Sequence, residues 1–174
     1  QVAIRTAAIN AGVVAGDTRV RLVARDLRGT EGPVATPDDS LLFTQNVASM
    51  ISRLADGRVS TYVERTDGAS GLCFDNRGRL IGTRPDAHAI AVFGASPVTL
   101  VEEAGGVPLM RPNDVACDRQ GGVYFSDPGP VPQPGQTPAR RPAVHYRAPG
   151  GAVTTVSEDI ARPNGLVLSP DSHV

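Results

Sequence analysis

The chain has 174 residues and a formal charge of −1, from 17 basic residues, every one an arginine, against 18 acidic ones. That length suits one domain, and the charge balance gives no electrostatic case for nucleic acid or an anionic membrane as a partner. No apolar run approaches the roughly 20 residues of a membrane-spanning helix. Nineteen Gly, 15 Pro and an apolar content of 40% point to a turn-rich, core-forming, all-β protein.

Residues 1–18 read as an N-terminal extension, weakly apolar and too often broken for a signal peptide. Gln1 stands where Met is usual, which is compatible with a removed leader. Cytoplasmic and periplasmic or secreted locations both stay open. Residues 19–174 then read as one partial β-propeller domain, for the following reason.

Four segments, 31–41, 70–80, 113–123 and 164–174, align without gaps as EGPVATPDDSL, SGLCFDNRGRL, NDVACDRQGGV and NGLVLSPDSHV. Each has a polar head, a short apolar run, a turn of Asp, Gly, Pro or Ser type, and an apolar residue opening the next strand. The heads Glu31, Ser70, Asn113 and Asn164 are 39, 43 and 51 residues apart. First strands are expected near residues 33, 72, 115 and 166. Between these units lie further strand–turn–strand patterns, over 52–63 around Asp56-Gly57, over 89–101 around 94–97, and over 143–156 around Gly150-Gly151. About four short strands per 40–50 residues is the pattern of a propeller blade. A β-sandwich also has evenly spaced strands but does not account for the gap-free repeat.

The longest spacing contains a proline-rich stretch from Asp127 to Pro142 in which no regular strand is expected. It reads as a surface loop between the second and third strands of the third blade, either an inert insertion or a lid. The pattern amounts to three blades plus the first strand of a fourth, whereas a propeller closes with four to eight. The chain is therefore expected to be part of a longer protein.

In a propeller the repeat heads gather around the central channel. Glu31, Asn113 and Asn164 would bring a carboxylate and two amide oxygens together, a donor set suited to Ca²⁺ and unlike a zinc site. The same heads would also serve simply to satisfy turn backbone. Asp114 and Asp127 read as turn or strand-end carboxylates with a spare ligand role. His88, His145 and His173 are isolated. Cys73 and Cys117 lie one step out of register, with side chains on opposite faces, and are expected to be buried free thiols.

Three motifs carry a resemblance: Glu31-Gly32-Pro33; Arg111-Pro112-Asn113-Asp114 followed by residues 118 and 121–128; and Arg162-Pro163-Asn164-Gly165-Leu166 with residues 169–171. In order and spacing the chain, from about residue 20 to its end, resembles the senescence-marker-protein/gluconolactonase (regucalcin-like) family, most closely its bacterial gluconolactonases. The resemblance implies a six-bladed propeller with one divalent cation, usually Ca²⁺, in its channel. It places metal ligands at Glu31, Asn113 and Asn164, and substrate contacts at Arg111 and Asn113. The family's remaining ligand and proton-transfer group, an Asp in a later P-D-G motif, has no counterpart before Val174, so no catalytic residue is assigned. The implied activity is metal-dependent opening of a sugar lactone to its aldonic acid, with a small-molecule lactone as partner. Alternatives are organophosphate or aryl-ester hydrolysis on the same metal site, and a non-catalytic binding propeller.

Overall fold

The computed structural model describes residues 21–137 and 140–169. The expected extension over 1–18, His173 and Val174 lie outside these residues. Strands β1 (Thr30–Ala35), β2 (Leu41–Gln45), β3 (Met50–Ala55) and β4 (Arg58–Glu64) form one antiparallel sheet in chain order. A second sheet repeats the plan with β5 (Leu72–Phe74), β6 (Leu80–Arg84), β7 (Ala89–Phe93) and β8 (Val98–Val101). A two-stranded hairpin follows, β9 (Glu103–Ala104) and β10 (Val107–Pro108), turning on Gly105-Gly106. The sequence reading did not anticipate it. A third four-stranded sheet is built from β11 (Val115–Cys117), β12 (Val123–Asp127), β13 (Ala143–Arg147) and β14 (Val153–Ser157).

The repeat pattern accounts for the boundaries. The apolar residues closing each aligned unit, Leu41, Leu80 and Val123, are the first residues of β2, β6 and β12. The hairpin signals Asp56-Gly57 and Gly150-Gly151 separate β3 from β4 and β13 from β14. Helix is limited, among the described residues, to single 3-10 turns at Asn46–Ala48 and Pro85–Ala87, each joining the second strand of its sheet to the third. In the third sheet the proline-rich loop takes that place. The fold is all-β and of the β-propeller class, with the sheets as its blades.

The strand expected to start near residue 166 is not there: residues 164–169 form no strand. A strand exists through its ladder of partners, and no described segment pairs with this one.

Alternation along each strand sends residues to two faces, and neighbouring sheets pack unlike faces together. One face of the first sheet presents Leu42 and Ile51 to Leu72, Leu80 and Phe93 of the second. The other face of the second presents Ile81 and Ile90 to Val115, Val123 and Phe125 of the third. Phe125, Ile51 and Ile90 are fully buried. This stacking overturns the expectation for the cysteines. Cys73 and Cys117 form a disulfide, with Cα atoms 5.8 Å apart. Their side chains do leave opposite faces of their strands, but in stacked sheets those are the two faces that meet.

Candidate functional site

The heads of successive repeats are joined by a hydrogen-bond pattern that recurs in every sheet. Thirteen residues after each head, on the second strand, stands a buried hydroxyl: Thr44, Thr83 and Ser126. The Thr44 hydroxyl donates to the Ser70 carbonyl at 2.9 Å. The Thr83 hydroxyl donates to the Asn113 carbonyl at 3.2 Å, and the Ser126 hydroxyl to the Asn164 carbonyl at 2.8 Å. Two of the hydroxyls also accept from their own repeat, Thr83 from the Ser70 N–H (3.1 Å) and Ser126 from the Asp114 N–H (3.1 Å). Thr83 and Ser126 thus tie the head of their own sheet to the head of the next, and Thr44 holds the next head alone.

The residue after each hydroxyl anchors the segment that enters its own sheet. Gln45 accepts from the Arg28 N–H at 2.8 Å. Arg84 pairs with Asp67. Asp127 accepts from the N–H groups of Met110 and Arg111, both at 2.7 Å. Asp127 is 1% exposed, and both its oxygens serve the backbone, so its role is structural, the reading already preferred for it.

Close backbone approach explains two glycines at these heads. A Cβ on Gly32, where φ is +49°, would lie 2.0 Å from the Ser70 carbonyl oxygen. One on Gly71 would lie 2.0 Å from Asp114 Oδ1 and 2.6 Å from Asp114 Cα. In the third repeat Asp114 occupies the corresponding position. Its carboxylate reaches forward to accept from the Leu166 N–H at 2.7 Å. Burial pushes the Asp114 carboxyl above the ordinary value, against the pull of the Leu166 and Val115 N–H groups. With Ser126 on the Asn164 carbonyl and Asp114 on the Leu166 N–H, the third sheet grips residues 164–166 at two points.

A cavity of about 420 Å³ lies at this end of the sheets. The connectors between second and third strands wall it, through Asn46, Asp86 and Val131, together with Arg111, Asn113 and Arg162. The proline-rich loop therefore borders the site. Arg111 and Asn113, expected from sequence as substrate contacts, share this wall. The Arg111 guanidinium donates to Asp86 at 2.6 Å, an exposed pair. Its backbone is fixed by Asp127 and by His88, whose ring Nδ1 lies 2.5 Å from the Met110 carbonyl. Glu31 is exposed on β1 opposite Thr44, and Asn164 is held through its carbonyl. These two head the first and fourth repeats and are not part of the cavity wall. Among the described residues no group of three or more His, Cys, Asp or Glu side chains gathers.

The donor chemistry is nevertheless compatible with a hard cation. Among the described residues no hydrogen bond or ion pair engages the Glu31 carboxylate or the Asn113 and Asn164 side-chain amides. The backbone carbonyls of both asparagines are occupied by the hydroxyls, which leaves the side-chain oxygens as the unspent donors. His145 is buried in β13, 3.2 Å from the Thr155 hydroxyl and against the Phe125 ring, far from any role suggested by the heads. Sequence reasoning missed Arg162, Asp86 and the three hydroxyls. The hydroxyls were detectable: extending the aligned repeat by three residues brings Thr44, Thr83 and Ser126 into one column.

Residues 29–174 match the SMP-30/Gluconolactonase/LRE-like region. A gluconolactonase of Zymomonas mobilis subsp. mobilis is 26% identical over 179 residues, covering 88% of this chain and 49% of its own. The solved structure of a gluconolactonase from Xanthomonas campestris, 25% identical, covers 82% of this chain and 52% of its own at a TM-score of 0.73. Regucalcin from Agrobacterium tumefaciens, a calcium-binding protein 20% identical to this chain, shares the fold at a TM-score of 0.62 over 86% of this chain and 50% of its own. The chain spans about half the length of these relatives. The repeat heads, the propeller sheets and the match over residues 29–174 together establish that the chain belongs to the SMP-30/gluconolactonase/LRE-like family.

Proposed function

We propose that this chain carries part of the site of a lactone hydrolase that opens a sugar lactone to its aldonic acid. Family membership and the gluconolactonase relatives support the lactonase class. The observation that carries the reading is local. Arg111 and Asn113 wall one cavity, and the side-chain oxygens of Glu31, Asn113 and Asn164 have no other described partner.

In this reading Glu31, Asn113 and Asn164 hold one divalent cation. Ca²⁺ fits best, because it accepts carboxylate and neutral carbonyl oxygens together in a flexible shell. When bound, the cation supplies a Lewis acid for the lactone carbonyl. Arg111 directs its N–H groups at the substrate's hydroxyls or at the oxygen that gains charge as water adds. Its backbone is clamped by Asp127, so little orientation is lost when the substrate enters. Arg162 adds a second cationic wall to the same cavity. Water's oxygen bonds to the acyl carbon, the ring C–O bond breaks, and the ring oxygen leaves as a hydroxyl with a proton from water. We assign that proton transfer to none of the described residues.

The disulfide bears on location. Such bonds persist in oxidising compartments and are rare in the cytosol, so Cys73–Cys117 supports a periplasmic or secreted protein.

The test is calcium titration of the chain, followed by melting temperature, with Glu31→Gln alongside. A ligand held only by the folded state must raise the melting temperature. Saturable, chelator-reversible stabilisation that Glu31→Gln removes is the expected result. Glucono-1,5-lactone hydrolysis, followed by acid release with Ca²⁺ and with chelator, checks the activity. Absence of a calcium effect, or one that Glu31→Gln leaves intact, overturns the ligand set.

A further inference from the structure

We infer that Thr83 and Ser126 are positioning residues for the site, each setting the orientation of one candidate ligand on the following repeat. The inference rests on the proposed ligand roles of Asn113 and Asn164. Three observations carry it. Each hydroxyl is fully buried, on a central strand of its sheet. Each donates across the sheet boundary to the backbone carbonyl of a head residue, Thr83 to Asn113 and Ser126 to Asn164. And each simultaneously accepts from an N–H at its own head, from Ser70 and Asp114.

A hydroxyl has one proton to donate and lone pairs to accept with. With the acceptor side taken by its own repeat, its single O–H is directed at the next. The carbonyl it fixes belongs to the same peptide group that sets the direction of the asparagine's Cα–Cβ bond. Ligand side chains from different sheets meet a cation with their oxygens only about 2.3–2.6 Å from it, so a small rotation of one head removes a ligand. The same bond in the first sheet, from Thr44 to the Ser70 carbonyl, shows that the device belongs to the repeat. At Asn113 a second donor, the Gly71 N–H at 2.9 Å, shares the carbonyl. At Asn164 the Ser126 hydroxyl is joined instead by Asp114 on the Leu166 N–H. Neither hydroxyl touches the cavity; each acts through the head it holds.

The experiment compares Thr83→Val, which keeps the shape and removes the hydroxyl, with Thr83→Ser, Ser126→Ala and the core truncation Ile90→Val. Two readouts are taken on the whole chain. Calorimetric titration with Ca²⁺ should show about tenfold weaker binding in Thr83→Val and Ser126→Ala. Thr83→Ser should restore affinity, and Ile90→Val should stay within about twofold of the parent even after losing melting temperature. NMR of the asparagine side-chain amides in chelator supplies the second readout, which needs no metal. Thr83→Val should move the Asn113 signals and spare those of Asn164, while Ser126→Ala should do the reverse. Affinity that falls in step with melting temperature in all variants, Ile90→Val included, would reduce the hydroxyls to general scaffolding. If the parent chain binds no Ca²⁺, the ligand assignment fails, and the amide signals alone decide the positioning. Unmoved Asn113 and Asn164 signals overturn it.

Discussion

The interface between the first and second sheets and that between the second and third are built from the same repeat but closed differently. The first packs Leu42 and Ile51 on Leu72, Leu80 and Phe93, with Ala69 beside them and no covalent link. The second packs Ile81 and Ile90 on Val115, Val123 and Phe125 and adds the Cys73–Cys117 bond between its first strands. Backbone comes close at both: a Cβ on Gly32 would lie 2.0 Å from the Ser70 carbonyl oxygen, and one on Gly71 2.6 Å from Asp114 Cα. Gly71 lies against backbone and carboxylate of residue 114, whereas Gly32 meets chiefly the Ser70 carbonyl. The difference teaches that repeat geometry fixes which faces meet, while the individual side chains decide how tightly and by what bond.

The strongest challenge to this comparison is Gly71→Ala. Its Cβ would lie 2.0 Å from Asp114 Oδ1 and 2.7 Å from the Val115 nitrogen, so the strands must separate. Overpacking of that kind costs about 3 kcal/mol or more when backbone is the obstacle, a large share of a domain's stability. Urea unfolding should show a chain that is largely unfolded or greatly weakened. A midpoint equal to the parent's would mean that the two sheets separate easily here.

Next in size are two buried phenylalanines, one at each interface. Phe125→Ala should cost about 3–5 kcal/mol, the usual range for a fully buried ring. Phe93, at 7% exposure, should cost less than Phe125, at 0%. Paired denaturation curves check the order, and a larger loss at Phe93 would place the stronger interface between the first two sheets.

Reduction of the disulfide should come third, at about 2–4 kcal/mol. The effect should be local. Amide hydrogen exchange with and without reductant should speed up in β5 and β11 while β2 and β3 change little. Equal acceleration in all four strands would show that the bond stabilises the molecule as a whole.

The smallest effect expected is a pH dependence lodged in the third sheet. Burial lowers the His145 pKa below its ordinary 6.5, although Asp127 pulls the other way. The unfolded chain therefore takes up its proton first. The His145 contribution is intact above pH 6.5, and stability falls as the pH drops from there towards the folded value. Thermal melts between pH 8 and 5 on the parent and on His145→Phe separate this contribution from that of the carboxylates. An identical slope in the variant would remove His145 as its source.

Much of this was legible in the sequence because its signals are local. A polar head, an alternating apolar run and a Gly- or Asp-rich turn specify a strand and its hairpin within a dozen residues, and β2, β6 and β12 begin at the apolar residues that the repeat marks. Asn113 and Arg111 were candidates from their motif, and both line one cavity. What the tertiary structure alone decided is how faces and heads of different repeats come together. Cys73 and Cys117 point to opposite faces of their strands, a fact that argues against a bond within one sheet and permits it between two stacked ones. The hydroxyls of Thr83 and Ser126 look like ordinary strand residues until the next repeat supplies the carbonyls they hold. Alternation along a strand is set by neighbouring residues, but the partner on each face comes from a segment some forty residues away, and only the stacking of sheets selects it.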